Sequence, residues 1–154
     1  QLIDRSLLAD VQWASYSGQL LGNEKGELSN FSLSYPAQWS VSAYVDPSHF
    51  SVQSFPETNN PPPLDFVKLE ILALKGPVET EETEDRLVEI AGEVVTLYTR
   101  VETPGRSLMV HLTLPKNGRN YAFGGYVDLR EENQAVLDKY RMILLAMMAS
   151  FKME

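Results

Sequence analysis

Two strand-like segments joined through Asn117-Gly118 constrain this chain more than any other feature. "RSLMVHLTLP" (106–115), with Met109, His111 and Thr113 on one face, and "NYAFGGYVDL" (120–129) read as the two strands, with "KNGR" between them. Alternation at period two marks a half-buried strand. Asn-Gly between two such strands suits a type I′ turn, because both central residues need positive φ and these two tolerate it best. The prediction is a β-hairpin and, with it, an antiparallel sheet. Gly124-Gly125 inside the return strand predicts a bulge or a close backbone approach.

The rest of the chain supplies partners for that hairpin. "DFVKLEILALK" (65–75) reads as a strand with Val67, Leu69, Ile71 and Ala73 on one face and Lys68 and Glu70 on the other. "RLVEIAGEVVTLYTRVE" reads as two short strands punctuated by Gly92. Earlier, "VQWASYS" (11–17) sets Val11, Trp13 and Ser15 on one side of a strand. "GQLLGNEKGELSN" (18–30) carries loop chemistry. Phe31, Leu33 and Tyr35 alternate against serines, and Pro36, with no N–H to donate, ends that strand. Trp39 is expected to open the next, sharing a face with Val41, Ala43 and Val45 and covering a hairpin end. "HFSVQSF" (49–55) is a further candidate strand. Residues 1–10 suit either a helical turn or the frayed remainder of a tether.

"REENQAVLDKYRMILLAMMASFK" reads as a helix, Glu131 and Glu132 suiting the positive end of its dipole. Val136, Tyr140, Ile143 and Met147 form one stripe, widened by Leu137, Leu144 and Met148, so the helix must lie buried across a sheet. The expected fold class is α+β, a mostly antiparallel sheet with a long closing helix. At 154 residues, with neither repeat nor linker, residues 1–154 are expected to form a single domain.

The net charge of -8 argues against binding a nucleic-acid backbone or anionic lipid. Without cysteine there is no disulfide, thiolate zinc site or cysteine nucleophile. No apolar run reaches the length that spans a membrane. The chain opens on Gln1 rather than Met, which leaves a removed leader, a lost lipid anchor or a trimmed start as expectations.

Trp13-x-x-Tyr16, then Phe31-Ser32-Leu33-Ser34-Tyr35-Pro36-x-x-Trp39, then a terminal helix ending Ala149-Ser150-Phe151-Lys152, together resemble the PsbP-like domain family. The resemblance spans most of the chain in order. It implies an α/β/α sandwich, shared with a eukaryotic nuclear factor that binds the GTPase Ran. It also implies an extracytoplasmic setting, secreted or membrane-anchored, and no reaction or cofactor. Photosynthetic members assist photosystem II in retaining calcium and chloride; no residue here matches that role, so it is not carried over. The segment 17–30 is longer than the turn usual before the Phe of the motif, and "ETNNPPP" and "ETEETED" look inserted. Trp13, Phe31, Tyr35, Pro36, Trp39, Gly92, Asn117, Gly118 and Phe151 are assigned to the framework of the fold, an aromatic cage for a cation being the alternative at the motif.

Residues able to carry chemistry are few. The two histidines are His49, in a turn-like setting, and His111, mid-strand beside Met109 and Thr113. No Gly-x-Ser-x-Gly elbow accompanies them. Glu70, Glu93 and Glu102 are the carboxylates that a sheet could bring together. Glu79, Glu81, Glu82, Glu84 and Asp85 supply oxygen for weak calcium binding, without the glycine turn of a tight loop. No phosphate-cradling glycine loop is present. "PPP" lacks the flanking base that proline-rich recognition prefers and reads as a stiff loop. Two readings result. One is a non-catalytic binding or assembly-accessory domain with an unknown protein partner, contacting it through loops 17–30, 56–65 and 76–86. The other is a carboxylate/His-based hydrolase or lyase, which requires a pocket joining His111 to an acid. A domain of a larger lipoprotein is a third possibility.

Overall fold

The computed structural model describes residues 3–43, 45–55, 65–74 and 84–154. A 3-10 turn at Arg5–Leu8 leads into strands β1 (Trp13–Leu21), β2 (Leu28–Pro36), β3 (Ser40–Ala43), β4 (His49–Gln53), β5 (Phe66–Leu74), β6 (Glu84–Ile90), β7 (Glu93–Thr103), β8 (Ser107–Lys116) and β9 (Arg119–Asp128). Helix α1 (Gln134–Ser150) and a short strand β10 (Lys152–Met153) end the chain. Seven strands form one sheet in the order β3-β4-β5-β9-β8-β7-β6, and β1-β2-β10 form a second. Every neighbouring pair is antiparallel. The fold is α+β, a mostly antiparallel sheet with a long C-terminal helix packed on it.

The predicted hairpin forms in register. Lys116 pairs with Arg119 across Asn117 (φ 56°) and Gly118 (φ 82°). Ala91 (φ 51°) and Gly92 (φ 83°) repeat this left-handed pair between β6 and β7. The β8–β9 ladder carries no bulge; the irregularity lies between β7 and β8, at Val101–Thr103. Gly125 is instead the close approach. A Cβ there would lie 2.9 Å from Val110 Cγ2 and 3.1 Å from Leu144 Cδ1 of the helix.

Alternation decides what is buried. Val67, Leu69, Ile71, Val110, Leu112, Leu114, Tyr121, Phe123 and Val127 line the inner face of the large sheet. Against them lie α1, through Leu137, Ile143, Leu144, Met147 and Met148, and the small sheet, through Leu20, Phe31 and Leu33. The helix is shorter than predicted at both ends. Asn133 caps it by accepting from the Val136 N–H, which leaves Glu131 and Glu132 outside. Phe151 turns extended (φ -63°, ψ 130°) and drives its ring between Phe31 and Phe123, at 5.8 and 5.0 Å. Burying that ring is worth about 1.5–3 kcal/mol. Lys152 then pairs with Ser32 of β2 rather than continuing the helix.

Other expectations are corrected. Residues 18–21 and 28–30 are strand, not loop, so the connection is only 22–27. Gly18 is tolerated in β1 because the Tyr16 ring lies across it, 2.7 Å from where a Cβ would stand. The Tyr121 hydroxyl donates to the Leu21 carbonyl and Arg119 Nε to the Asn23 carbonyl, tying this hairpin to the turn of the other. On β1 the face of Trp13 and Ser15 points outward, Trp13 remaining 36% exposed, and Tyr16 packs inward on Phe31 and Phe50. At the N-terminal end the alternative observed is the helical turn, Leu8 being buried in the core. β2 and β3 belong to different sheets, so Trp39 covers no hairpin end, and Val45 is fully exposed. Glu84 and Asp85, expected in an acidic loop, belong to β6. Residues 56–64 and 75–83 lie outside the described residues, and with them "ETNNPPP", Glu79, Glu81 and Glu82.

Candidate functional site on the outer face of the large sheet

The polar half of each alternating strand faces away from the helix. Register places Ser51, Glu70, Gly124, His111 and Tyr98 side by side across β4, β5, β9, β8 and β7. Lys68, Tyr126, Met109 and Arg100 form the neighbouring row. Both histidines of the chain therefore share one face with Glu70, although 62 residues separate them in sequence, an arithmetic difference of 111 and 49.

Glu70 is the hub. Its Oε2 lies 3.0 Å from His49 Nε2 and its Oε1 3.3 Å from Lys68 Nζ. The three side chains are about a quarter exposed, at 26%, 27% and 22% for His49, Glu70 and Lys68. Each carboxylate oxygen thus has a nitrogen neighbour of its own. Gly124 leaves a gap in the row, and Tyr126 leans across it; a Cβ on Gly124 would lie 2.8 Å from the Tyr126 hydroxyl. Burial pushes the Tyr126 phenol above its ordinary pKa, and the charge of Glu70 adds to the shift. Beyond Gly124, His111 stacks on Tyr98 at 5.2 Å and 19°.

A cleft of about 380 Å3 opens beside this cluster, lined by Phe66, Lys68, Glu70, Glu102, Tyr126 and Asp128 together with Ser107, Leu108 and Val127. Neither histidine lines it. Glu102 is held by Arg100 at 3.1 Å. At the β3–β4 end the face closes over a neutral network, Gln53 Nε2 donating to Ser42 Oγ at 2.9 Å and Ser51 Oγ to Gln53 Oε1 at 3.3 Å. With acids, one ammonium and two rings in one concavity, the cleft can bind polar and cationic groups of a partner.

The candidates named from sequence separate. Glu70 and Glu102 meet at the cleft, while Glu93 stays at the β6–β7 turn. His49 is not an isolated turn residue but Glu70's partner. Phe66, Tyr126 and Asp128 were not singled out from sequence, and Lys68 only as part of the polar face of β5; the pairing of β5 with β9 brings them together. Among the framework residues, Phe31 and Phe151 are core, Tyr35 is half-buried, Pro36 ends β2, and Trp39 lies 6.4 Å from the Tyr140 ring. The chain changes sheets between them, so the motif is a corner.

Among the described residues no group of three or more His, Asp or Glu side chains is arranged to hold a metal ion. Of the acidic run, Glu84 and Asp85 pair by backbone with Thr99 and Tyr98. No described helix is long and apolar enough to cross a membrane. Neither a family model, nor a curated protein, nor a solved structure matches this chain.

Proposed function

We propose that the chain is a non-catalytic binding or assembly-accessory domain that contacts a protein partner through the outer face of its large sheet. The observation that carries this reading is the cleft at Glu70. It gathers Phe66, Lys68, Glu102, Tyr126 and Asp128, and it excludes both histidines. Glu70 has both carboxylate oxygens within reach of neighbours, His49 Nε2 at 3.0 Å and Lys68 Nζ at 3.3 Å, so it presents an engaged carboxylate at the cleft wall. In this reading the fold is PsbP-like, an α/β/α sandwich. The setting is extracytoplasmic, secreted or membrane-anchored. Weak calcium binding by the acidic run belongs to the same proposal.

The test is affinity capture from the native source with the wild type and with a Lys68→Ala/Tyr126→Ala double variant of unchanged thermal midpoint. A partner held by the wild type and lost from the double variant supports the reading. Equal retention by both refutes it. Fractionation of the source cells, with mass spectrometry of the mature N-terminus, tests the setting; an unprocessed cytosolic chain counts against it.

The second reading is a carboxylate/His-based hydrolase or lyase, favoured by the 3.0 Å contact of His49 with Glu70. It requires turnover of an ester, glycoside or phosphoester probe that Glu70→Gln and His49→Ala both abolish.

A further inference from the structure

On the helix side of the molecule, the corner between β2 and β3 frames a second concavity. Trp39 N–H donates to the Pro36 carbonyl at 2.9 Å, and the Ala37 N–H to the Gln12 carbonyl at 2.8 Å. These bonds fix the corner against the start of β1. The resulting cleft of about 530 Å3 lies between this corner and the first half of α1. One wall is aromatic, the Trp39 and Tyr140 rings standing 6.4 Å apart at 50°. Pro36, Val11, Val136 and Ile143 add apolar surface, and Gln12, Gln38, Asp10 and Lys139 supply the polar groups.

The polar groups decide what fits. Lys139 Nζ lies 2.7 Å from Asp10 Oδ2, so the one cation and the one anion of the cleft already neutralise each other. That hydrogen bond, first, and the charge of Lys139, second, hold the Asp10 carboxyl below its ordinary pKa. The pair carries no net charge, so the cleft offers neither an anionic nor a cationic ligand an excess of opposite charge. A neutral ligand with hydroxyl groups can donate to the carboxylate and accept from the ammonium while the pair stays in place. The amides of Gln12 and Gln38 each offer both donors and an acceptor. Among the described residues, the Trp39 indole N–H and the Tyr140 hydroxyl are likewise bonded to no protein group. A ligand with an apolar face to lie on a ring and several hydroxyls at its edge satisfies this arrangement, and a pyranose has that form.

We infer that the Trp39–Tyr140 cleft is a binding site for a neutral sugar. It is separate from the outer-face cleft and does not depend on the function proposed there.

The experiment uses Trp39 as its own reporter, in a Trp13→Phe background that removes the other tryptophan. Emission is followed during titration with glucose, galactose, N-acetylglucosamine, cellobiose, lactose and chitobiose, with mannitol and inorganic phosphate as controls. A saturable change with at least one sugar, and none with either control, is expected. Gln38→Ala, on an exposed side chain that leaves the fold intact, should weaken that binding about fivefold, and Tyr140→Ala more than tenfold. Flat titrations with all six sugars, a response to phosphate or mannitol, or binding that ignores Gln38→Ala would overturn the inference. Saturation by a proline-rich peptide with no response to sugars would overturn it equally, since aromatic clefts also receive such segments.

Discussion

The two faces of the seven-stranded sheet are made by the same strands, one residue out of phase, and they differ in almost everything else. Inside, Leu69, Ile71, Leu112 and Phe123 are buried under α1 and the small sheet. Outside, Lys68, Glu70, His111 and Tyr126 are half-exposed; Lys68 pairs with Glu70, and His111 stacks on Tyr98. Gly124 and Gly125 carry the contrast in two adjacent positions. Gly125 admits a helix, and Gly124 admits a tyrosine ring. The inner face has one solution, interlocked packing, whereas the outer face has room for side chains to be rearranged by a partner. Close packing holds one side, and partly exposed polar side chains cover the other.

Truncation should separate the faces most sharply. Phe123→Ala removes a ring that meets Phe151 edge-on at 5.0 Å, and should cost about 3–5 kcal/mol in urea unfolding. His111→Ala, across the same strand pair, should stay below about 1.5 kcal/mol. Similar losses at both would break the comparison. The glycine pair sharpens it. Gly125→Ala drives a methyl group against Val110 and Leu144, and should cost about 1–3 kcal/mol. Gly124→Ala meets only the far end of Tyr126, which can swing away, and should stay within about 1 kcal/mol. Glu70→Gln should change stability by less than about 1 kcal/mol and yet lower partner capture, because it loosens His49 and Lys68 together.

The smallest effect is in titration. Tyr126 is raised first by burial and then by Glu70, so its neutral phenol is the form the fold favours. Stability from this source is complete below the ordinary tyrosine value of about 10 and is lost as pH rises through the higher folded value. Absorbance at 295 nm, taken as wild type minus Tyr126→Phe, should show a late-titrating phenol, and Glu70→Gln should bring it earlier. A phenol titrating at or below the ordinary value would remove the burial argued for it.

Local chemistry made much of the fold legible. Asn117-Gly118 specified its turn, Gly92 marked the break between β6 and β7, and the alternation of β5 named its buried face. Errors arose where tertiary contacts overrode composition. Gly18, Gly22 and Gly26 suggested a loop from residue 18, but Tyr16 covers Gly18 and Tyr121 secures Leu21, so β1 continues to Leu21 and only Gly22 and Gly26 lie in the connection. Phe151 and Lys152 followed the helical pattern, but the core takes the ring and β2 takes the backbone. The site was the least legible part. Glu70 and Lys68 were visible as the polar face of β5, but their meeting with Tyr126 and His49 depends on pairings between segments far apart in sequence.

Site-specific photo-crosslinking compares the two sides of the molecule in one measurement. A crosslinker at Met109, beside Tyr126 on the outer face, is set against one at Ser17, on the exposed side of β1. In the native extract, position 109 should form a discrete adduct that Lys68→Ala/Tyr126→Ala suppresses, while position 17 forms none. An adduct from position 17 with none from position 109 would place recognition on the wrong face and contradict the account.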